Sequence, residues 1–429
     1  MPRSAVDEVT LIREDAHVVR SPRDLDPLLD RIGAARYVLI GEATHGTAEF
    51  YRWRAELTQR LIAERGFSFV AVEGDWPDCH RLHCCVAGAP GVPKDPWQVL
   101  WGFRRWPAWL WANEEVAEFA RWLREFNRDG GHRPVGFHGL DVYSLWDSLR
   151  AVFAYLTEHA PDRIGPAREA FRCFEPYGED SRAYAWATEL VPENCRREVV
   201  RLLAELRADA CRGGAPGLDR AFVARQNAEI VVGAERYYRE LTQGGPRSWN
   251  VRDHHMTDTL TRLAEAYGPG AKAVVWAHNT HVGDARATDM AAAGMVNLGQ
   301  LVRERHHADG VVTVGFGTYR GSVIASDHWG GPVRRLPVPE ARQDSTEGLV
   351  HDAIPGHDSL FVFDDDSRWA EDVRGHRAIG VVYRADGYVP TALSARYDAF
   401  MHCDVTTAIT PLHPGEPGGA EEQTYPSGL

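Results

Sequence analysis

Short apolar runs recur along this chain at a spacing that admits few architectures. Tyr37–Ile40, Phe69–Val72, Val135–Gly139, Ala273–Trp276, Val311–Gly315, Leu360–Phe363 and Ile379–Tyr383 are rich in β-branched and aromatic residues and are bounded by glycine, proline or charge. Such runs fit strands buried on both faces. Between the early ones, Glu49 to Glu64 and Glu114 to Phe126 repeat apolar residues every three or four positions, the period of a helix with one buried face. Strand, helix, strand order predicts an α/β fold with a mostly parallel central sheet flanked by helices.

From about Leu145 to Gly268 the strand pattern disappears, and Val223, Ile230, Ala234, Tyr237 and Leu241 fall on one helical stripe. This region reads as a large all-helical insertion or lid, with its last helix beginning near Asn250, a residue suited to capping a first turn. The expected division is an α/β core over 1–144, the helical insertion over 145–268, the second part of the core over 269–412 and a flexible tail over 413–429.

The 48 basic and 61 acidic residues leave a net charge of −13, which repels a phosphate backbone and argues against nucleic acid as a partner. No apolar run approaches the roughly 20 residues that a membrane span needs, and the first residues lack the apolar core of a signal peptide. The expectation is a cytoplasmic protein, a monomer or small homo-oligomer, acting on a small molecule away from membranes. Seven cysteines form an odd set with no C-x-x-C spacing, so they are expected to be reduced and structural.

In open parallel sheets, ligands bind at the carboxyl ends of the strands. Tyr37–Ile40 runs into Glu42 and His45, Phe69–Val72 into Glu73 and Asp75, Val135–Gly139 into Asp141, and Ala273–Trp276 into His278 and His281. Any one of these has a purely structural explanation, as a helix cap or a satisfied core histidine. Together they do not, because burying several ionisable groups costs several kcal/mol unless they compensate one another. The rim is therefore read as an acid–base site, histidine being the side chain that titrates nearest neutrality. There is no G-x-S-x-G elbow, no G-x-x-x-x-G-K-[ST] phosphate loop and no H-E-x-x-H helix. What remains is acid–base work on a water, or a metal. Among the other histidines, His80, His83, His132, His254, His306, His307 and His328 are expected to be solvated, and either His138 or His255 to reach the pocket.

The segments Gly41-Glu42-Ala43-Thr44-His45-Gly46 with Arg54 downstream, Val72-Glu73-Gly74-Asp75-Trp76, Gly139-Leu140-Asp141, Trp249 to Met256, Ala277-His278-Asn279-Thr280-His281 and Arg396 to Phe400 occur in this order over nearly the whole chain. In these motifs the sequence resembles the erythromycin esterase family, including its succinoglycan-biosynthesis-like members. The resemblance implies a hydrolase that opens an ester or lactone, such as that of a macrolide or other natural product, with water activated by His45. It implies that Glu42 and Glu73 orient that imidazole or the water, and that Arg54, His278 and His281 face the same cleft and steady the oxyanion. Asp75, Trp76, Arg104, Arg105, Asp141 and Arg252 are the expected substrate contacts. The aromatic segment Trp97 to Trp111 either walls the pocket or packs the helical insertion against the sheet.

No cofactor is expected, although Glu42, His45, Glu73, His278 and His281 also have the composition of a divalent-metal site. The same rim would equally serve elimination, dehydration or cyclisation in a biosynthetic pathway, or hold a metal or haem without turnover.

Overall fold

A computed structural model describes residues 5–131, 133–178, 180–190, 194–210, 218–243 and 245–413. His132, Cys211 and the tail beyond His413 lie outside these described residues. The strands are β1 (His17–Val18), β2 (Tyr37–Ile40), β3 (Phe69–Asp75), β4 (Gly136–Asp141), β5 (Ala273–Trp276), β6 (Val311–Ala325), β7 (Arg334–Val338), β8 (Ser359–Val362), β9 (Val373–Arg377), β10 (Tyr388–Ala392) and β11 (Ala399–Thr406).

Among the described residues nine strands form one sheet in the order β1-β8-β11-β6-β2-β5-β3-β4, with β7 paired to the far half of β6. From β11 to β4 every pairing along this path is parallel, and β8, β1 and β7 add antiparallel edges. β9 and β10 make a separate antiparallel pair. The central strands are buried along their whole length, as continuous apolar runs require.

The sheet separates two apolar layers. Leu57, Leu61, Val116 and Leu123 pack on one face with Val70 and Trp276, while Leu260, Leu263, Phe361 and Phe400 pack on the other with Phe69 and Val275. Between β4 and β5 the regular elements of the described residues are all helices, and those from Leu145 to Leu241 enclose their own core around Leu149, Leu202, Val231 and Tyr238.

Several expectations are corrected. Ile379–Tyr383 is not a strand: Ile379 N–H donates to Ala43, and Ser326 exchanges hydrogen bonds with Val381 and Tyr383, so the segment changes partner before a ladder can form. Its buried Ile379 and Val381 account for the strand-like composition. Asn250 does not start a helix. The helix runs Arg247–Tyr267, and the Asn250 carboxamide bonds Gly294 and Val296 instead, tying a neighbouring loop. Cys173 and Cys195 are joined in a disulfide, whereas Cys79, Cys84, Cys85 and Cys403 are free. An odd count leaves room for one pair, which spacing alone does not reveal. His80 and His83 are half-buried against Trp76 and His138 rather than solvated. Among the described residues no helix is long and apolar enough to cross a membrane.

Candidate active site

β5 enters the sheet between β2 and β3, so the loop that follows it lies between the loops that follow those two strands. This topology brings Glu42, His45, Glu73, His278 and His281 together although they come from distant parts of the chain. Gly46 allows the close passage: a Cβ there would collide with the backbone of Ile324, whose N–H donates to the Gly46 carbonyl at 3.0 Å.

His45 Nδ1 lies 2.8 Å from Glu42 Oε1, and Arg54 Nη2 donates to Glu42 Oε2 at 2.7 Å. A carboxylate on Nδ1 favours the tautomer that leaves Nε2 as the basic nitrogen. His45 lines a cavity with about 700 Å³ of empty space, partly open to solvent. Arg54 is fully buried beneath Tyr51 and Trp276, its guanidinium 4.3 Å from the Tyr51 ring centre.

A second network is built on Arg252, from the helix Arg247–Tyr267. Its Nε and Nη2 grip the two oxygens of Asp141 at 2.9 and 2.6 Å, and Nη2 also donates to Glu73 Oε1 at 2.6 Å. Glu73 Oε2 accepts the His278 backbone N–H at 2.8 Å, anchoring the loop after β5. Burial disfavours the Glu73 anion, but His281 and Arg252 outweigh it and hold the carboxyl well below its usual range. His281 stacks on Trp249, its Nδ1 2.9 Å from Asp253 Oδ1 and its Nε2 3.0 Å from Arg252 Nη1. Burial disfavours its cation, but Asp253 and Glu73 prevail over Arg252 and push the imidazole up to about 9. His278, dehydrated and 4.8 Å from the His45 ring centre, is held well below the usual histidine range, first by burial and then by His45.

The cavity wall is aromatic. Phe103, Trp106, Trp111, Tyr143 and Trp329 line it, and Trp106 meets Trp329 edge-on at 4.5 Å. Arg105 reaches it as well, bonded to Asp75 at 2.7 Å and to Asp147 at 3.0 Å.

Of the residues expected from sequence, His45, Glu73, Asp75, Asp141, Arg105 and Arg252 line the cavity. Glu42 stands behind His45. Arg54, His278 and His281 are fully buried and are not part of the lining; rather than facing the cleft as expected, Arg54 bonds Glu42, the His278 N–H bonds Glu73, and His281 contacts Arg252. Trp76 points into the core and stacks with His138, and exposed Arg104 lies over Trp101, outside the cavity. Neither His138 nor His255 reaches it: His138 bonds Tyr267, and His255 packs beside Gly233. Sequence reasoning missed Asp253, adjacent to Arg252 in its motif, and Tyr143 and Trp329, for which no spacing gave a signal.

The divalent-metal alternative does not fit these donors. Glu42 is engaged by His45 and Arg54, Glu73 by Arg252 and the His278 N–H, and His281 by Asp253. Among the described residues no group of three or more His, Cys, Asp or Glu is arranged to hold a metal ion.

The site is thus a set of buried carboxylate–histidine pairs at the C-terminal rim of a mostly parallel α/β sheet. Residues 62–406 match the family model "Erythromycin esterase", so the chain belongs to the erythromycin esterase family, whose name makes it a hydrolase of the esterase kind. It is 23% identical over 359 residues to erythromycin esterase type II of Escherichia coli, covering 78% of this chain and 81% of that protein. Its fold is similar to the crystal structure of a succinoglycan biosynthesis protein, with a TM-score of 0.76 at 20% identity over 96% of this chain and all of that one. It is also similar to a mutant of the erythromycin esterase EreC in its open conformation, with a TM-score of 0.68 at 19% identity over 93% and 96% of the two chains.

Proposed function

We propose that this hydrolase cleaves a carboxylic ester or lactone of a bulky small molecule with His45 as general base. The observation that carries this reading is the Glu42–His45 pair, whose imidazole stands on the wall of the cavity, backed by the carboxylate and with Nε2 as its basic nitrogen. In this mechanism His45 Nε2 takes a proton from water as the oxygen attacks the carbonyl carbon. The imidazolium then returns that proton to the departing alkoxide. Arg252, a cation on the same wall, provides the positive field that favours the tetrahedral oxyanion. Glu42 steadies the imidazolium, and Arg54, bonded to its other oxygen, keeps Glu42 aimed.

The aromatic wall suits a large apolar scaffold, and the E. coli relative's name makes macrolide lactones the first substrates to try. Should a macrolide be accepted, the activity would confer resistance to it.

Wild type and His45→Ala are compared on a panel of lactones and esters. The expected result is a fall in kcat of about 10²–10⁴ with little change in fold. Equal activity in the two proteins would refute the assigned base. Oxygen-18 from labelled water should enter the product acid, and its absence would move the reaction to elimination or cyclisation.

A further inference from the structure

Asn279, the middle residue of Ala277-His278-Asn279-Thr280-His281, does not line the cavity, yet it is held on every side. Its main-chain N–H donates to the Glu42 carbonyl at 2.9 Å, and its main-chain oxygen accepts from Arg396 Nη2 at 3.0 Å. Its Oδ1 accepts the Phe316 N–H at 3.2 Å, which makes Nδ2 the donor to the Phe316 carbonyl at 2.7 Å and to His376 Nε2 at 3.1 Å. Nε2 of His376 is therefore the acceptor, and the ring proton sits on Nδ1, 2.6 Å from Glu347 Oε1. The same oxygen accepts the Arg377 N–H at 2.9 Å.

Glu347, His376 and Asn279 are all at least nine-tenths buried. Glu347 comes from the helix Thr346–Ala353 and His376 from β9, so the line connects elements outside the rim to the backbone of Glu42. Gly41, just before Glu42, accommodates the Asn279 carboxamide: a Cβ there would collide with Oδ1. The loop bearing Glu42 and His45 is thus seated against Asn279, whose carboxamide is held jointly by the Phe316 backbone and by His376.

We propose that Glu347 and His376 are positioning residues of the hydrolytic site, fixing Asn279 and through it the Glu42–His45 pair. The inference rests on the hydrolase reading above. Satisfied buried hydrogen-bond chains specify one orientation of each member, and small misplacements of a catalytic group cost large factors in rate.

His376→Phe, Glu347→Ala and Glu347→Gln are prepared in the full chain and assayed with p-nitrophenyl acetate as probe. In parallel, the ring nitrogens of His45 are followed in ¹⁵N-histidine spectra, assigned by their loss in His45→Ala. The expected result is a fall in kcat of about tenfold in His376→Phe and Glu347→Ala with KM within a factor of two. The His45 resonances should shift away from the pattern of a single Nδ1–H tautomer. Glu347→Gln should restore both, because an amide oxygen still accepts from His376 and the Arg377 N–H. Unmoved His45 resonances in folded His376→Phe would overturn the inference, whatever the turnover. So would a failure of Glu347→Gln to recover more than Glu347→Ala. If His376→Phe does not fold, the Glu347 pair decides alone. If wild type turns over no ester, the hydrolase reading fails by itself, and the resonances still decide the positioning.

Discussion

Arg252 holds more of the site together than any histidine. It pairs with Glu73 and Asp141 at once, and all three side chains are less than a tenth exposed. Arg252→Met would leave two carboxylates buried without their cation, so a loss of about 3–5 kcal/mol is expected, read as a lower urea midpoint. His45→Ala, on the cavity wall, should leave that midpoint nearly unchanged while removing turnover. At this scale the acids and imidazoles of the rim were legible because each follows an apolar strand. Their division into those that line the cavity and those that stand behind it was not, because motif spacing does not report exposure. Arg54 and His281 belong to the same set of motifs that carries His45 yet are sealed off by Tyr51 and by Trp249.

Among the elements, β2 and β5 were legible to the residue, being short, apolar and bounded by polar turns. β3 and β4 run on to Asp75 and Asp141, past the point where the apolar pattern stops, because polar residues at the rim keep strand geometry. β11 was hidden by His402 and Asp404, which interrupt its apolar run although both are buried. The helical layer was legible as a region without strands, but its disulfide was not. Cys173 and Cys195 are 22 residues apart, and closing a loop of that length is worth about 3 kcal/mol on the chain-entropy account. Cys173→Ser should therefore weaken the helices around Leu149 and Leu202 before the sheet, seen as earlier amide exchange in that layer. Simultaneous loosening of the sheet would contradict this order.

For the molecule as a whole, buried histidines set the response to acid. His138, His255, His278 and His402 are buried and held below their ordinary value of 6.5 by dehydration, His255 to about 3 and His402 to about 4. The unfolded chain takes up protons near 6.5 that the native state refuses, so native stability falls as pH drops below that value. Each such histidine adds a slope of about 1.4 kcal/mol per pH unit. His281 acts in the opposite sense: its stabilising charge is complete below 6.5 and is lost as pH rises through about 9. Urea midpoints measured from pH 4 to 10 should peak near neutrality and fall steeply on the acid side. A flat acid limb would show that these rings are hydrated.

Because β5 pairs with both β2 and β3, a nascent chain carries an open slot between them until residue 276 has been made. Any fragment ending earlier leaves the edges of β2 and β3 that face this slot bare, and is prone to stick to its neighbours through them. Closure of the slot between the Glu42–His45 loop and the Glu73 loop thus waits, late in synthesis, on one four-residue segment.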